Sequence, residues 1–293
     1  MRKFGIIDFG ATLSLTLIQE LLTANIKSSR IVWFFDEPAS FAPFVNYGIQ
    51  PRHLSLQPSG GMVEKFSDLE KLIIILPVLE EKNTLELFLE INCSARLAGI
   101  SHIVIVIPVP GFGKFTEPFF NVAKQMDKLN FGIPYTVLLN SLDRESVFNL
   151  DFLNSLDSGF ISSATNGKLF NFASRQNISA AIARVTNEDG FENKIYHLTS
   201  GEQYGFEDMA SVATKTIGTK IRNLNFDSIT VKSMLMQAGT TIQQAEFLVD
   251  VLHKKIAEGL FEFTTTDLGV LNKGKIESFE LFAKRFLTIG QNV

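Results

Sequence analysis

The sequence predicts an α/β protein: a doubly wound parallel sheet in the first half and a smaller α+β lobe in the second. Three observations carry this. Near-continuous apolar runs of strand length recur along residues 1–150, the pattern of strands buried on both faces. Stretches with apolar residues at helical spacing separate most of these runs, so crossover helices cover the sheet. After about residue 150 the alternation gives way to short strands mixed with helices, which divides the chain into 1–150 and 151–293, the second part also contributing strands back to the sheet.

In order, "KFGIID" (3–8) is the first strand, and "ATLSLTLIQELLTA" (11–24) is a helix with Leu13, Leu17, Ile18, Leu21 and Leu22 on its apolar face. "RIVWFF" (30–35) is a second strand stopped by "DEPAS", "HLSL" (53–56) a weaker third, and "KLIIIL" (71–76) a fourth ended by Pro77. "TLELFLEINCSARLAG" (84–99) is a helix closed by Gly99, and "HIVIVI" (102–107) the fifth strand. "FTEPFFNVAKQMDKLN" (115–130) is a helix with Pro118 in its first turn, and "PYTVLL" (134–139) the sixth strand. In the second lobe "KLFNFA" and "KIYHLT" are short strands. "TTIQQAEFLVDVLHKKIAEG" (240–259) is a helix in which Thr240 and Gln243 fit a capping box and Gly259 a C-cap.

Composition narrows the function. The chain of 293 residues carries a net charge of −4, which advertises no basic face for nucleic acid. It has 27 phenylalanines and one tryptophan. Cys93 is the sole cysteine, and His53, His102, His197 and His253 are scattered, so neither an internal disulfide nor a metal site is expected. The apolar run at the N-terminus breaks at Asp8, and "LIIILPVL" and "IVIVIPV" are too short to span a bilayer. A cytoplasmic protein without membrane contact is expected, in which the sequons at Asn92 and Asn177 are chance matches.

In doubly wound sheets the ligand crevice lies outside the carboxyl ends of the strands, here Asp8–Thr12, Asp36, Pro77–Val78, Pro108–Gly113 and Asn140–Ser141. "IIDFGATLSL" runs a strand through a small-residue turn into a helix, as in a Rossmann-type phosphate turn. Gly10, Ala11 and Thr12 form the turn, but the second and third glycine positions fall on Leu13 and Thr16. A leucine at the second position would lie where the pyrophosphate goes, although the helix N-terminus still offers N–H groups and a favourable dipole. The turn therefore either binds a dinucleotide weakly or only links strand to helix. Asp36 is placed to accept from a ribose 2′-OH, which favours NAD over NADP if either binds, or is a solvated turn residue.

Five segments, in order, resemble the NmrA-like branch of the atypical short-chain dehydrogenases, including the NAD(P)H:quinone reductase-like members. "FGATLSL" is similar to V-T-G-A-T-G-x-L-G, and "INCSARLAGISHIVIV" to N-x-x-x-A-(K/R)-x-A-G-(V/I)-x-H-I-V-Y. "VAKQMDKLNFGIPYTVLLNS" resembles E-K-x-L-x-x-S-G-I-x-Y-T-x-L-R-N-G, and "LFNFASRQNISAAIARV" the segment V-x-F-V-(S/D)-x-x-D-(I/V)-A-x-A. "KIYHLTSGEQYGFEDMASVATKTIG" is similar to Y-x-L-(T/S)-G-x-x-x-(L/Y)-S-x-x-E-(L/I)-A-x-x-x-S-x-x-x-G.

The departures are specific. The family's Arg for a 2′-phosphate falls on Asp36, its Arg in L-R-N-G on Leu139, and its later Asp on Asn177, while Asn140 matches. The Y-x-x-x-K pair becomes "FNVAK": Lys124 remains, to touch a nicotinamide ribose or to sit solvated on its helix, but Phe120 replaces the proton-passing tyrosine. The catalytic Ser falls in "VIP" (106–108), so no catalytic residue is assigned. Asn140 either bonds a ligand or caps the following turn. "PGFGKF" (110–115) reads as a lip over the crevice, and Pro108, Phe112 and Phe120 as walls of an apolar pocket or as core.

The resemblance and its worn motifs lead first to a non-catalytic scaffold that senses a nucleotide or redox state weakly and acts through a protein partner. The alternative is an NAD(P)H-dependent oxidoreductase of the quinone reductase type, since such a member needs only to bring hydride and quinone together. A third class is a module that binds some other small molecule in the crevice.

Overall fold

The apolar runs build strands in a computed structural model that describes residues 3–9, 13–36, 38–55, 61–77, 84–108, 121, 132–148 and 158–290. The chain begins with β1 (Lys3–Asp8), α1 (Ser14–Thr23), β2 (Ile31–Phe35), β3 (Gln50–His53), α2 (Met62–Phe66), β4 (Leu69–Ile75), α3 (Thr84–Ala98), β5 (His102–Pro108) and β6 (Tyr135–Asn140). It continues with β7 (Leu142–Asp143), α4 (Arg144–Val147), β8 (Phe160–Ser163), β9 (Phe172–Ala173), α5 (Arg175–Asn187), β10 (Lys194–Leu198), α6 (Phe206–Ile217) and β11 (Arg222–Asn225). Then come α7 (Ser228–Gln237), α8 (Ile242–Glu246), a π-helical stretch (Phe247–His253), α9 (Lys254–Ala257), α10 (Asp267–Leu271) and α11 (Phe279–Gly290). The expected helix at 115–130 lies outside the described residues apart from Asn121.

Seven strands form one parallel sheet in the order β10-β6-β5-β4-β1-β2-β3. Six of them repeat the doubly wound order 3-2-1-4-5-6, and β10 extends it along β6, with Tyr196 opposite Leu138. One face buries Ile7, Val32, Phe34, Leu72, Ile74, Ile105 and Val137 against Phe66 of α2 and Leu87, Phe88 and Ile91 of α3. Alternate strand residues face the other way, among them Ile6, Trp33, Ile73 and Val104, and these are buried too. That two-sided burial is why the runs are continuous rather than alternating. In β1 the sheet leaves no room at Gly5, where a Cβ would come within 2.7 Å of Leu69 and 2.9 Å of Leu72.

The chain divides into two units, Met1–Asn140 with Ile178–Leu198, and Ser141–Asn177 with Thr199–Val293. The second unit begins at Ser141, ten residues before the expected start at 151, and "KIYHLT" supplies the sheet's seventh strand, the return to the sheet expected of the second half. The second unit holds two short parallel pairs, β7–β9 and β8–β11. Much of the chain's phenylalanine gathers there. Phe148 meets Phe279 and Phe282 edge-on at 5.7 and 5.4 Å, and Phe172 meets Phe279 at 5.5 Å. Arg144 is buried among these rings, 5.5 Å from Phe172 and 5.6 Å from Phe282, and donates to the carbonyls of Glu277 (2.8 Å) and Ser278 (3.2 Å). Burial lowers its pKa.

Two further expectations shift. The third strand is Gln50–His53, not 53–56: it is an edge strand, where Pro51 owes no ladder donor and Gln50 and Arg52 keep contact with solvent. The capping box is Thr241 with Gln244, one residue later than expected (Gln244 N to Thr241 Oγ1, 3.3 Å), because Thr240 closes α7 by donating its N–H to Leu235 O at 3.0 Å. Asn92 and Asn177 are both buried, closed to glycosylation.

Two histidines are neutral because they are buried. Desolvation, then the nearby Lys71 ammonium, pushes His102 down to about 4, and desolvation does the same to His253. His102 Nε2 lies 2.9 Å from Thr136 Oγ1, and Ala164 N donates to His253 Nδ1 at 3.3 Å. An unfolded imidazole takes up its proton near pH 6.5, before the folded one does. Each histidine's contribution is therefore intact above about pH 6.5 and is lost as pH falls toward 4, to the order of 3 kcal/mol. Urea midpoints should drop steeply between pH 6.5 and 4.5, and His102→Asn should flatten part of that slope. Arg144→Ala should cost ~2–4 kcal/mol through lost packing and two stranded carbonyls, read as a melting point several degrees lower.

Candidate functional site

The chain runs from β1 to β2 on one side of the sheet and later returns to β4 on the other side of β1. The topological switch point therefore lies between the carboxyl ends of β1 and β4. Asp8 ends β1 opposite Ile75, and Phe9 N donates to Ile75 O at 3.0 Å. Six residues on, the fully buried Ser14 begins α1 and donates its hydroxyl to the Asp8 carboxylate. This bond ties the end of β1 to the start of α1.

Leu13 overturns an expectation. A leucine lying across a phosphate site would face solvent, but this one is 2% exposed, its side chain turned into protein. Among the described residues no side chain caps α1, and no acid occupies its first turn, so its leading N–H groups and dipole suit an anion.

The other edge residues follow from register. After β4, Leu76 N donates to Val106 O at 3.0 Å, and the buried Pro77, without an N–H, ends the pairing. Pro108, also buried, ends β5 opposite Asn140, which ends β6. Asn140 Oδ1 is closed off from solvent without a hydrogen-bond partner among the described residues. Of the two readings left open for Asn140, the cap of the following turn is supplied by Asp143, whose Oδ1 accepts from Ser146 N at 2.8 Å. Asp36 follows β2 directly and is exposed, with its Oδ1 3.9 Å from His53 Nε2. The His53 ring stands edge-on to Phe35 at 5.7 Å.

Asp36, Pro77, Pro108 and Asn140 thus share the carboxyl edge of one sheet. Gly10, Ala11, Thr12, Phe112, Phe120, Lys124 and the lip at 110–115 lie outside the described residues. Sequence reasoning missed two members. Ser14 stood only as part of the first helix, and His53 stood at the start of the misplaced third strand rather than at the end of the real one. Among the described residues no group of three His, Cys, Asp or Glu side chains could hold a metal ion, and no helix is long and apolar enough to cross a membrane.

The sheet order and its switch point define a Rossmann-type α/β protein. No protein-family model matches the chain. It is 25% identical over 252 residues to quinone oxidoreductase 2 of Escherichia coli (strain K12), covering 84% of this chain and 86% of that protein. It is 24% identical over 211 residues to the NmrA-like family domain-containing oxidoreductase flvB of Aspergillus flavus, covering 70% and 68%. Among solved structures, the Citrobacter sp. triphenylmethane reductase complexed with NADP(H) superposes with a TM-score of 0.85 at 23% identity, over 98% of this chain and 99% of that one. The NADPH complex of the E. coli NADPH-dependent quinone oxidoreductase superposes with a TM-score of 0.80 at 20% identity, over 99% of each. Sequence likeness thus runs to a quinone oxidoreductase and an NmrA-like oxidoreductase, and the fold is that of the superposed reductases.

A buried, unpaired carbonyl oxygen costs about 1–3 kcal/mol. Asn140→Leu should therefore leave the melting temperature unchanged or raise it. A clear fall would show that the side chain serves the fold rather than the crevice.

Proposed function

We propose that the chain is an NAD(P)H-dependent oxidoreductase that reduces a quinone-type acceptor. The observation that carries this is Leu13: its burial counts against the obstruction that weighed most for a scaffold without dinucleotide. The likeness to quinone oxidoreductase 2, and the NADP(H) and NADPH held by the two superposed reductases, support the same reading.

The residues described fit such a cofactor. The uncapped first turn of α1 would face its pyrophosphate, Asp36 would accept from the adenosine ribose, and Asn140 Oδ1 would accept a hydrogen bond from a ligand amide. When bound, the dinucleotide supplies a hydride. Phe120, standing where short-chain dehydrogenases carry tyrosine, has no exchangeable proton. Protons for the reduced acceptor therefore come from water, which a quinone tolerates and a simple ketone does not. Asp36 favours the NAD form, whereas the superposed reductases hold the NADP form.

At about a hundred times its dissociation constant, a bound dinucleotide adds ~2.7 kcal/mol of stability, a melting shift of several degrees. NADH or NADPH should raise the melting temperature by that much, and oxidation of NAD(P)H by benzoquinone should follow. Gly10→Trp should abolish both effects. Flat melting with both reduced cofactors would overturn the reading, and binding without turnover would restore the regulator.

A further inference from the structure

We propose that His53, paired with Asp36, selects between the NAD and NADP forms of the cofactor, an inference that rests on the dinucleotide reading above. Asp36 stands at the end of β2, where a doubly wound sheet meets the adenosine ribose. His53 ends the neighbouring strand, with Phe35 and His53 in register and the imidazole fixed edge-on to the Phe35 ring. Both side chains are open to solvent, 42% for Asp36 and 56% for His53.

The 3.9 Å between Nε2 and Oδ1 is too long for a direct hydrogen bond. A ribose 2′-hydroxyl both donates and accepts, so it satisfies the carboxylate and the imidazole together. A 2′-phosphate dianion only accepts. It is repelled by Asp36, and only a fixed cation in the place of His53 would hold it there. The pair therefore favours the NAD form.

Among the described residues, the arginines of these two strands are engaged elsewhere. Arg52, the preceding residue of β3, is bonded to Asp68 at 2.8 and 3.1 Å and to the Lys65 carbonyl, and its guanidinium lies over Phe34. Arg30, before the opposite end of β2, pairs with Glu70 at 3.2 Å.

The test is a fluorescence titration of the full chain with NADH and with NADPH at pH 8, taking the ratio of the two dissociation constants. The unmodified protein should bind NADH roughly tenfold more tightly than NADPH. His53→Ala, which removes one of the two partners of the 2′-hydroxyl, should lose part of that preference. His53→Lys, which sets a cation beside the 2′-phosphate, should lose it altogether. If His53→Ala gives the same ratio as the unmodified protein, the inference falls and the dinucleotide reading stands. If neither cofactor binds the unmodified protein, both fall.

Discussion

The hydrogen bond from Ser14 to the Asp8 carboxylate is the constraint on which the rest of the candidate site depends. It joins the end of β1, an interior strand of the sheet, to the first turn of the first helix, across a segment whose sequence has one glycine where related turns have three. Glycines let a backbone turn sharply without side-chain conflict. Here a buried hydroxyl on a charged oxygen holds the turn's two ends, a charge-assisted contact stronger than an ordinary one. With α1 fixed in this way, its leading N–H groups stay at the switch point and Leu13 stays inside. The motif is worn in sequence, and the end of β1 and the start of α1 are joined by other atoms.

Most of the main sheet was legible because its physics is simple. A strand covered on both faces must be apolar at nearly every position, and β1, β2, β4, β5 and β6 announce themselves that way. β3 did not, because an edge strand answers to fewer neighbours: "QPRH" combines a proline, an arginine and a half-exposed face. The apolar "HLSL" beside it drew the assignment three residues along. That small slip hid His53, moving it from the carboxyl end of a strand, where ligands bind, to the amino end, where they do not. Leu13 was misjudged for another reason. A motif fixes which residue occupies a position but not where its side chain points once the backbone has adjusted. The Asn140 reading was left open by sequence, since asparagine caps turns and binds ligands with equal ease, and Asp143 took the cap.

The second unit was the least legible part. Its strands are two to four residues long and partly polar, as in "RNLN", so no periodicity can develop. What organises it is a cluster of rings around a buried cation. Arg144 has carbonyl oxygens and aromatic faces for company, and neither leaves a pattern in the sequence. Only the chain's excess of phenylalanine pointed to such a cluster.

The return of the chain to its first sheet bears on how the protein is made. β6 is complete at Asn140, but its outer edge is paired only when β10 is reached, more than fifty residues later. While the ribosome adds the intervening segment, an apolar strand with unpaired N–H and C=O groups stands open at the margin of a nearly finished sheet. Nascent chains interrupted in that interval would carry a ready template for strand addition by a neighbour. Cellular factors that shield emerging polypeptides would have most to do there, and a gene shortened after β6 would yield aggregate rather than a smaller working fold.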